Sequence, residues 1–222
     1  MTEILPAILA ESKEQFVTQL RAVEAYASVV HVDVLDGTLF PHMSWADARA
    51  VGSLDTSVQF ELHLMVENPL AVARTWKEEV TGLSRVIFHA ELDRQHEPII
   101  EAIHGMHLDA GLALNPETPV EEAHHAIHLL DELLLMTVHP GASGQGIGDP
   151  AHGIHEDDLL AKVVEIHRRY PDILLGADGG VTAQNILRFL QAGITRFCAS
   201  SSIFAGRNPH TALEEMRKAL GM

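Results

Sequence analysis

The chain has 222 residues, a formal net charge of −16 and a single cysteine. Scattered lysines and arginines argue against a nucleic-acid surface or an anionic membrane surface, since both need clustered basic groups. One cysteine, Cys198, excludes an intramolecular disulfide and fits a reducing compartment. It reads as a small core hydrophobe.

At the start, Glu3 leads directly into ILPAIL, which is not a secretory leader, and no apolar run is long enough to span a bilayer. The expected location is the cytoplasm. Residues 4–9 read as a first strand. Ser12, with Gln15 three residues on, is a potential capping box for a helix that puts Phe16, Leu20 and Val23 on one face. Residues 29–34 are a second strand, followed by a short helix at 44–51. Residues 58–65 are a third, and Asn68-Pro69 opens the next helix. A fourth strand spans 84–89, and the helix opened by Glu97-Pro98 stops at Gly105. After a fifth strand at 109–114, Thr118-Pro119 with Glu121 predicts a capped helix carrying His124 and His128 four residues apart. That spacing could form a surface metal pair. Strands at 132–138, 173–177 and 195–199 complete the set. Gly193 stops the helix before the last strand, and Asn208-Pro209 opens a final helix with Leu213, Met216 and Leu220 on one face. Trp45 and Trp76 read as helix-face packing.

Most strand runs are apolar throughout, as expected of parallel strands covered on both faces. Eight strands, each followed by a helix, make a single-domain (β/α)₈ TIM barrel over residues 1–222 the leading fold. An open doubly wound sheet is the alternative, but no G-x-G-x-x-G follows an early strand.

Four residues carry the chemistry: His31, Asp33, His63 and Asp178. Each lies near the C-terminal end of a strand run, VVHVDVLDG, FELHLMV or ILLGADGG. In a barrel those ends form the active-site mouth. His31 and Asp33, two apart, point to the same side of their strand. Two imidazoles and two carboxylates suit a borderline divalent ion such as zinc, iron(II), manganese or cobalt. An ion flanked by two carboxylates is equipped to move a proton next to a carbonyl. Three glycine-bearing loops, HPGASGQG (139–146), ADGGV (177–181) and ASSSIFAG (199–206), follow the last three strands. In them Gly141, Gly144, Gly179 and Gly180 let backbone N–H groups approach an oxyanion closely. Asp36 and Gly37 read as the turn after the second strand, Met65 as site-wall or core packing, and His152 and His155 as members of a long loop near the site.

The same motifs resemble those of the ribulose-phosphate 3-epimerase family along nearly the whole length. HVDVLDG is similar to the family's H-V-D-V-M-D-G, and ELHLMVENP to D-V-H-L-M-V-x-x-P. FHAE (88–91), GLALNPETP (111–119), PG-x-x-GQ (140–145) and DGGVTAQNI (178–186) follow in order. The resemblance implies His31, Asp33, His63 and Asp178 as metal ligands, with Asp33 and Asp178 as the acid/base pair. It implies a phosphate site formed by Gly141, Ala142, Ser143 and Gly144, by 178–180 including Gly179 and Gly180, and by Ser200 and Ser201. His63 is expected to touch substrate as well. A homo-oligomer and a ketose phosphate substrate, interconverted between D-ribulose 5-phosphate and D-xylulose 5-phosphate, are further implications.

The sequence also departs from the family. PAILAES stands for P-S-I-L-S-A-D, so that Ala10 is expected to remove a hydroxyl close to metal and substrate. Leu35 replaces a methionine over the site, and HPGASGQ replaces N-P-G-F-G-G-Q. Ser200 replaces a glycine, and the loop after Gln145 is several residues longer. A 3-epimerase of another ketose phosphate, such as D-allulose 6-phosphate, is therefore a second reading, and a catalytically silent sugar-phosphate-binding barrel a third. Related decarboxylating barrels carry D-x-K-x-x-D. The matching positions here are His31, Asp33 and Asp36, without the lysine.

Overall fold

The computed structural model describes residues 2–141, 144–148, 153–206 and 208–222. Its eight strands are β1 (Glu3–Ile8), β2 (Val29–Leu35), β3 (Gln59–Met65), β4 (Leu83–His89), β5 (Asp109–Leu114), β6 (Glu132–Met136), β7 (Leu174–Asp178) and β8 (Arg196–Ala199). Each pairs in parallel with the next, and β8 closes onto β1. Around them lie α1 (Lys13–Val23), α2 (Ala48–Gly52), α3 (Pro69–Glu79), α4 (Glu97–Gly105), α5 (Glu156–Arg169), α6 (Ile186–Ala192), α7 (Ser201–Phe204) and α8 (Pro209–Ala219). The TIM barrel expected from the alternation is the fold.

Strand alternation divides the buried side chains into two sets. Val30, Val32 and Val34 point outward from β2 and share one continuous core with Phe16, Leu20 and Val23 of α1 and Trp76 of α3. Inside the barrel a smaller cluster holds Leu5, Ala7, Ile87, Ala113, Leu134, Met136 and Cys198. With apolar neighbours on both sides, the strands read as unbroken hydrophobic runs. No helix among the described residues is long and apolar enough to cross a membrane.

The cap signals are met only in part: Pro69 opens α3, but Asn68 makes no side-chain cap bond. Ser12 accepts a hydrogen bond from the Gln15 N–H, but the Gln15 side chain takes the Glu11 N–H instead of that of Ser12, so half of the expected box forms. Asn208 accepts from the N–H groups of His210 and Thr211. Between β5 and β6 the expected α-helix is absent, and two 3₁₀ turns, Val120–Ala123 and Ile127–Leu129, replace it. The Thr118 hydroxyl donates to Glu91 instead of capping, and Pro119 stays extended at ψ 151°. His124 and His128 therefore do not lie on one α-helix, which was the basis of the metal pair they suggested. His124 Nδ1 instead meets the Tyr170 hydroxyl at 2.7 Å.

Inside the barrel, on the N-terminal side of the catalytic end, lies a charged cluster that the sequence reading did not anticipate. Glu61, Glu132 and Arg196 are buried, with Arg85 nearly so. Arg196 contacts Glu61 at 2.6 Å and also touches Glu132, while Arg85 lies 2.8 Å from Glu132 and 3.2 Å from Glu61. Gly176 makes room for it, since a Cβ there would sit 2.3 Å from Glu132 Oε1. Burial, followed by the charge of Glu61, pushes the Glu132 carboxyl up to about 7. Burial opposes ionisation of Glu61 too, but its bond to His31 and the Arg196 charge hold that carboxyl well below the usual range.

Candidate active site

Parallel register carries His31, Asp33, His63 and Asp178 to one point. Asp33 on β2 is paired directly with His63 on β3, and Asp178 closes β7. One ligand-type atom from each of the four lies within 4.8 Å of those of the others. His63 Nδ1 is 2.9 Å from Asp33 Oδ1 and 3.3 Å from Asp178 Oδ2. His31 Nε2 is 3.4 Å from Asp33 Oδ1 and 3.9 Å from Asp178 Oδ2.

The hydrogen bonds behind these rings set their polarity. His31 Nδ1 meets the ionised Glu61 at 2.7 Å, so it carries a proton, and Nε2 is left facing two carboxylates. That Nε2 is buried and has no hydrogen-bond partner. An imidazole nitrogen facing carboxylate oxygens in a buried site needs positive charge between them, which either a proton or a metal ion supplies. The titration tendencies agree. Burial opposes protonation of His31, yet Cys198 and Asp33 beside it raise its pKa well above the ordinary value. Burial opposes protonation of His63 too, yet its bonds to Asp178 and Asp33 raise its pKa. Burial opposes ionisation of Asp33 as well, but His31 and His63 hold its carboxyl far below the ordinary value. The centre of the cluster thus attracts a cation. The donor set, two imidazoles and two carboxylates, fits a borderline divalent metal.

Asp33 and Asp178 open onto a cleft at the barrel mouth, while the two histidines lie behind them. His63 is fully buried and does not line this cleft. Gly141, Gly144, Gly179, Gly180, Ser200 and Ser201 do line it, with Met65 and Met136 on the wall. Gly179 and Gly180 have φ of 106° and 59°, and a Cβ on Gly180 would come within 2.9 Å of the Ile147 nitrogen. Only glycine fits there. Ala142, Ser143 and His152 lie outside the described residues.

Some expectations change. Ala10 belongs to the core outside the barrel and does not line the cleft. In the same motif it is Ala7 that points inward, beside Cys198. His155 caps the start of α5, its N–H held by the Asp158 carboxylate at 2.8 Å. Asp36 is exposed and accepts from the Thr38 N–H, as a turn residue does. Cys198 is buried 3.3 Å from His31 Nδ1, and burial pushes its thiol up to about 12. Sequence reasoning missed His89, which is fully buried and lies 2.8 Å from His63. Its place at the end of β4, two residues past inward Ile87, was the available signal.

The model of the ribulose-phosphate 3 epimerase family matches residues 3–204. This chain belongs to that family. It is 29% identical to the ribulose-phosphate 3-epimerase of Bacillus subtilis over 98% of this chain and 99% of that one. It is 30% identical to the Mycobacterium leprae enzyme of the same name, over 98% and 95%. KGPDC from Streptococcus mutans superposes with a TM-score of 0.73 at 12% identity, over 100% of this chain and 98% of that one. A 3-hexulose-6-phosphate synthase from Salmonella typhimurium gives 0.72 at 12%, over 99% and 98%. At such low identity these two report the shared barrel alone. Family membership makes the protein an isomerase of the epimerase type.

Proposed function

We propose that the chain interconverts D-ribulose 5-phosphate and D-xylulose 5-phosphate by two-carboxylate proton transfer at C3. The observation that carries this reading is the pair of cleft-facing aspartates, Asp33 and Asp178, backed by two buried histidines. They come from β2 and β7, so a sugar carbon lying between them presents a different face to each.

Asp33 takes the C3 proton of the D-ribulose epimer, and Asp178 delivers a proton to the opposite face, with the roles exchanged in reverse. Positioned acid–base groups of this kind contribute about 10²–10⁴-fold. A divalent ion held by His31, Asp33, His63 and Asp178 would supply Lewis-acid stabilisation of the enediolate oxygens. At the far end of the cleft, backbone N–H groups around Gly141, Gly144, Gly179, Gly180, Ser200 and Ser201 suit a phosphate. Glycine backbones that a Cβ would obstruct support this, and they allow an acidic protein to take an anionic substrate.

The test is a comparison of kcat/KM for D-ribulose 5-phosphate and D-allulose 6-phosphate. A clear preference for the pentulose is expected. A preference for the hexulose would transfer the same chemistry to a longer substrate, and turnover of neither would favour a silent binding barrel.

A further inference from the structure

His89 has no role in the scheme above, yet both of its nitrogens are committed. Its Nε2 lies 2.8 Å from His63 Nε2, and its Nδ1 lies 2.8 Å from Glu91 Oε2. One proton arrangement satisfies this chain when His63 Nδ1 presents its lone pair to the aspartate side. His63 must then carry its proton on Nε2 and donate it to a bare His89 Nε2. His89 must carry its own proton on Nδ1 and donate it to Glu91.

The far end is also fixed. The other Glu91 oxygen accepts from the Asn115 N–H at 2.9 Å and from the Thr118 hydroxyl. Lys162 of α5 donates to the carbonyls of Asn115, Pro116 and Thr118 at 3.0, 3.2 and 2.6 Å, clamping that loop. On the near side the Phe40 ring packs edge-on against His89, with centroids 4.9 Å apart. A histidine buried only to fill space would not need this alignment of donors and acceptors.

We propose that His89 and Glu91 form a positioning relay that fixes the tautomer and orientation of His63, so that Nδ1 faces the cation. This rests on the metal reading above. Outer partners of metal-bound histidines are usually a direct carboxylate or carbonyl, and their loss costs about 10–100-fold in metal affinity. Here an imidazole is interposed between ligand and carboxylate.

The test measures Co²⁺ affinity by competition with a chromophoric chelator, together with the visible d–d spectrum, for wild type, His89→Leu, His89→Gln and Glu91→Gln. His89→Leu is expected to bind about 10–100-fold more weakly with an altered spectrum. His89→Gln should recover most of the affinity, because its carboxamide can accept from His63 and donate to Glu91. Glu91→Gln should fall between. Wild-type affinity and spectrum in His89→Leu, or a His89→Gln protein as impaired as His89→Leu, would overturn the relay. If circular dichroism shows that His89→Leu does not fold, unchanged binding and spectrum in Glu91→Gln would overturn it instead. Wild-type protein that binds no Co²⁺ would overturn the metal reading, and the relay with it.

Discussion

Removing Glu61 tests the charged barrel interior and its link to the site. At pH 6 Glu61 is ionised, while Glu132, with its carboxyl near 7, is mostly protonated. Glu61→Gln removes a buried charge 2.6 Å from Arg196, 3.2 Å from Arg85 and 2.7 Å from His31. Deleting one partner of a buried ion pair typically costs about 3–5 kcal/mol. Glu132, however, touches the same two arginines. Its proton is held on by burial and by the charge of Glu61. Without Glu61 that proton leaves and the negative charge is restored one side chain away. The single variant should therefore cost less than about 3 kcal/mol, and Glu132→Gln, nearly neutral for neutral at pH 6, less still. The double variant has no carboxylate to take over and should lose the full amount, about 3–5 kcal/mol. Urea unfolding of the four chelator-treated proteins at pH 6 reads the cycle. A coupling of about 1–3 kcal/mol is expected. Losses that add within about 0.5 kcal/mol would refute the shared-charge account.

The acid–base assignment predicts an asymmetry. With the cation saturating, Asp178→Asn should lose about 10²–10⁴-fold in epimerisation yet still exchange the C3 hydrogen of D-ribulose 5-phosphate with solvent. Asp33→Asn should instead exchange only the D-xylulose epimer, and wild-type turnover or equal exchange from both epimers in either variant would contradict the roles. Stability should depend on pH through Glu132, whose raised folded pKa of about 7 against an ordinary 4.5 lets the folded state hold an extra proton. That contribution is complete below about 4.5 and is lost as pH rises through 7. Glu132→Gln should therefore flatten the decline that wild type shows across that window, and parallel pH profiles would refute this. Cys198, buried and with its thiol pushed up to about 12, should react with maleimide only as fast as the protein opens. Stoichiometric labelling within the mixing time would place the thiol at the surface.

The fold was legible because both faces of the sheet are buried, which gives eight apolar runs separated by helical patterns. Four site residues were legible from strand-end position and period-two alternation. The same alternation, carried one step further, would have found Glu61, two residues before His63, and Arg196, two before Cys198. As charged residues near the starts of strands they looked like solvent-facing ends, and only barrel closure makes them partners. The missing helix after β5 was not legible locally, because the residues that hold Thr118 and its loop, Glu91 and Lys162, lie 27 and 44 positions away. Ala10 was misplaced by motif matching alone, whereas parity from Leu5 and Ala7 puts it on the outer side.

The most direct test of the central claim is solvent deuterium incorporation at C3 of D-ribulose 5-phosphate, with and without a chelator. The account predicts incorporation into both substrate and D-xylulose 5-phosphate, abolished by the chelator and restored by a divalent ion. Inversion without solvent deuterium, or exchange that survives complete removal of the metal, would contradict it.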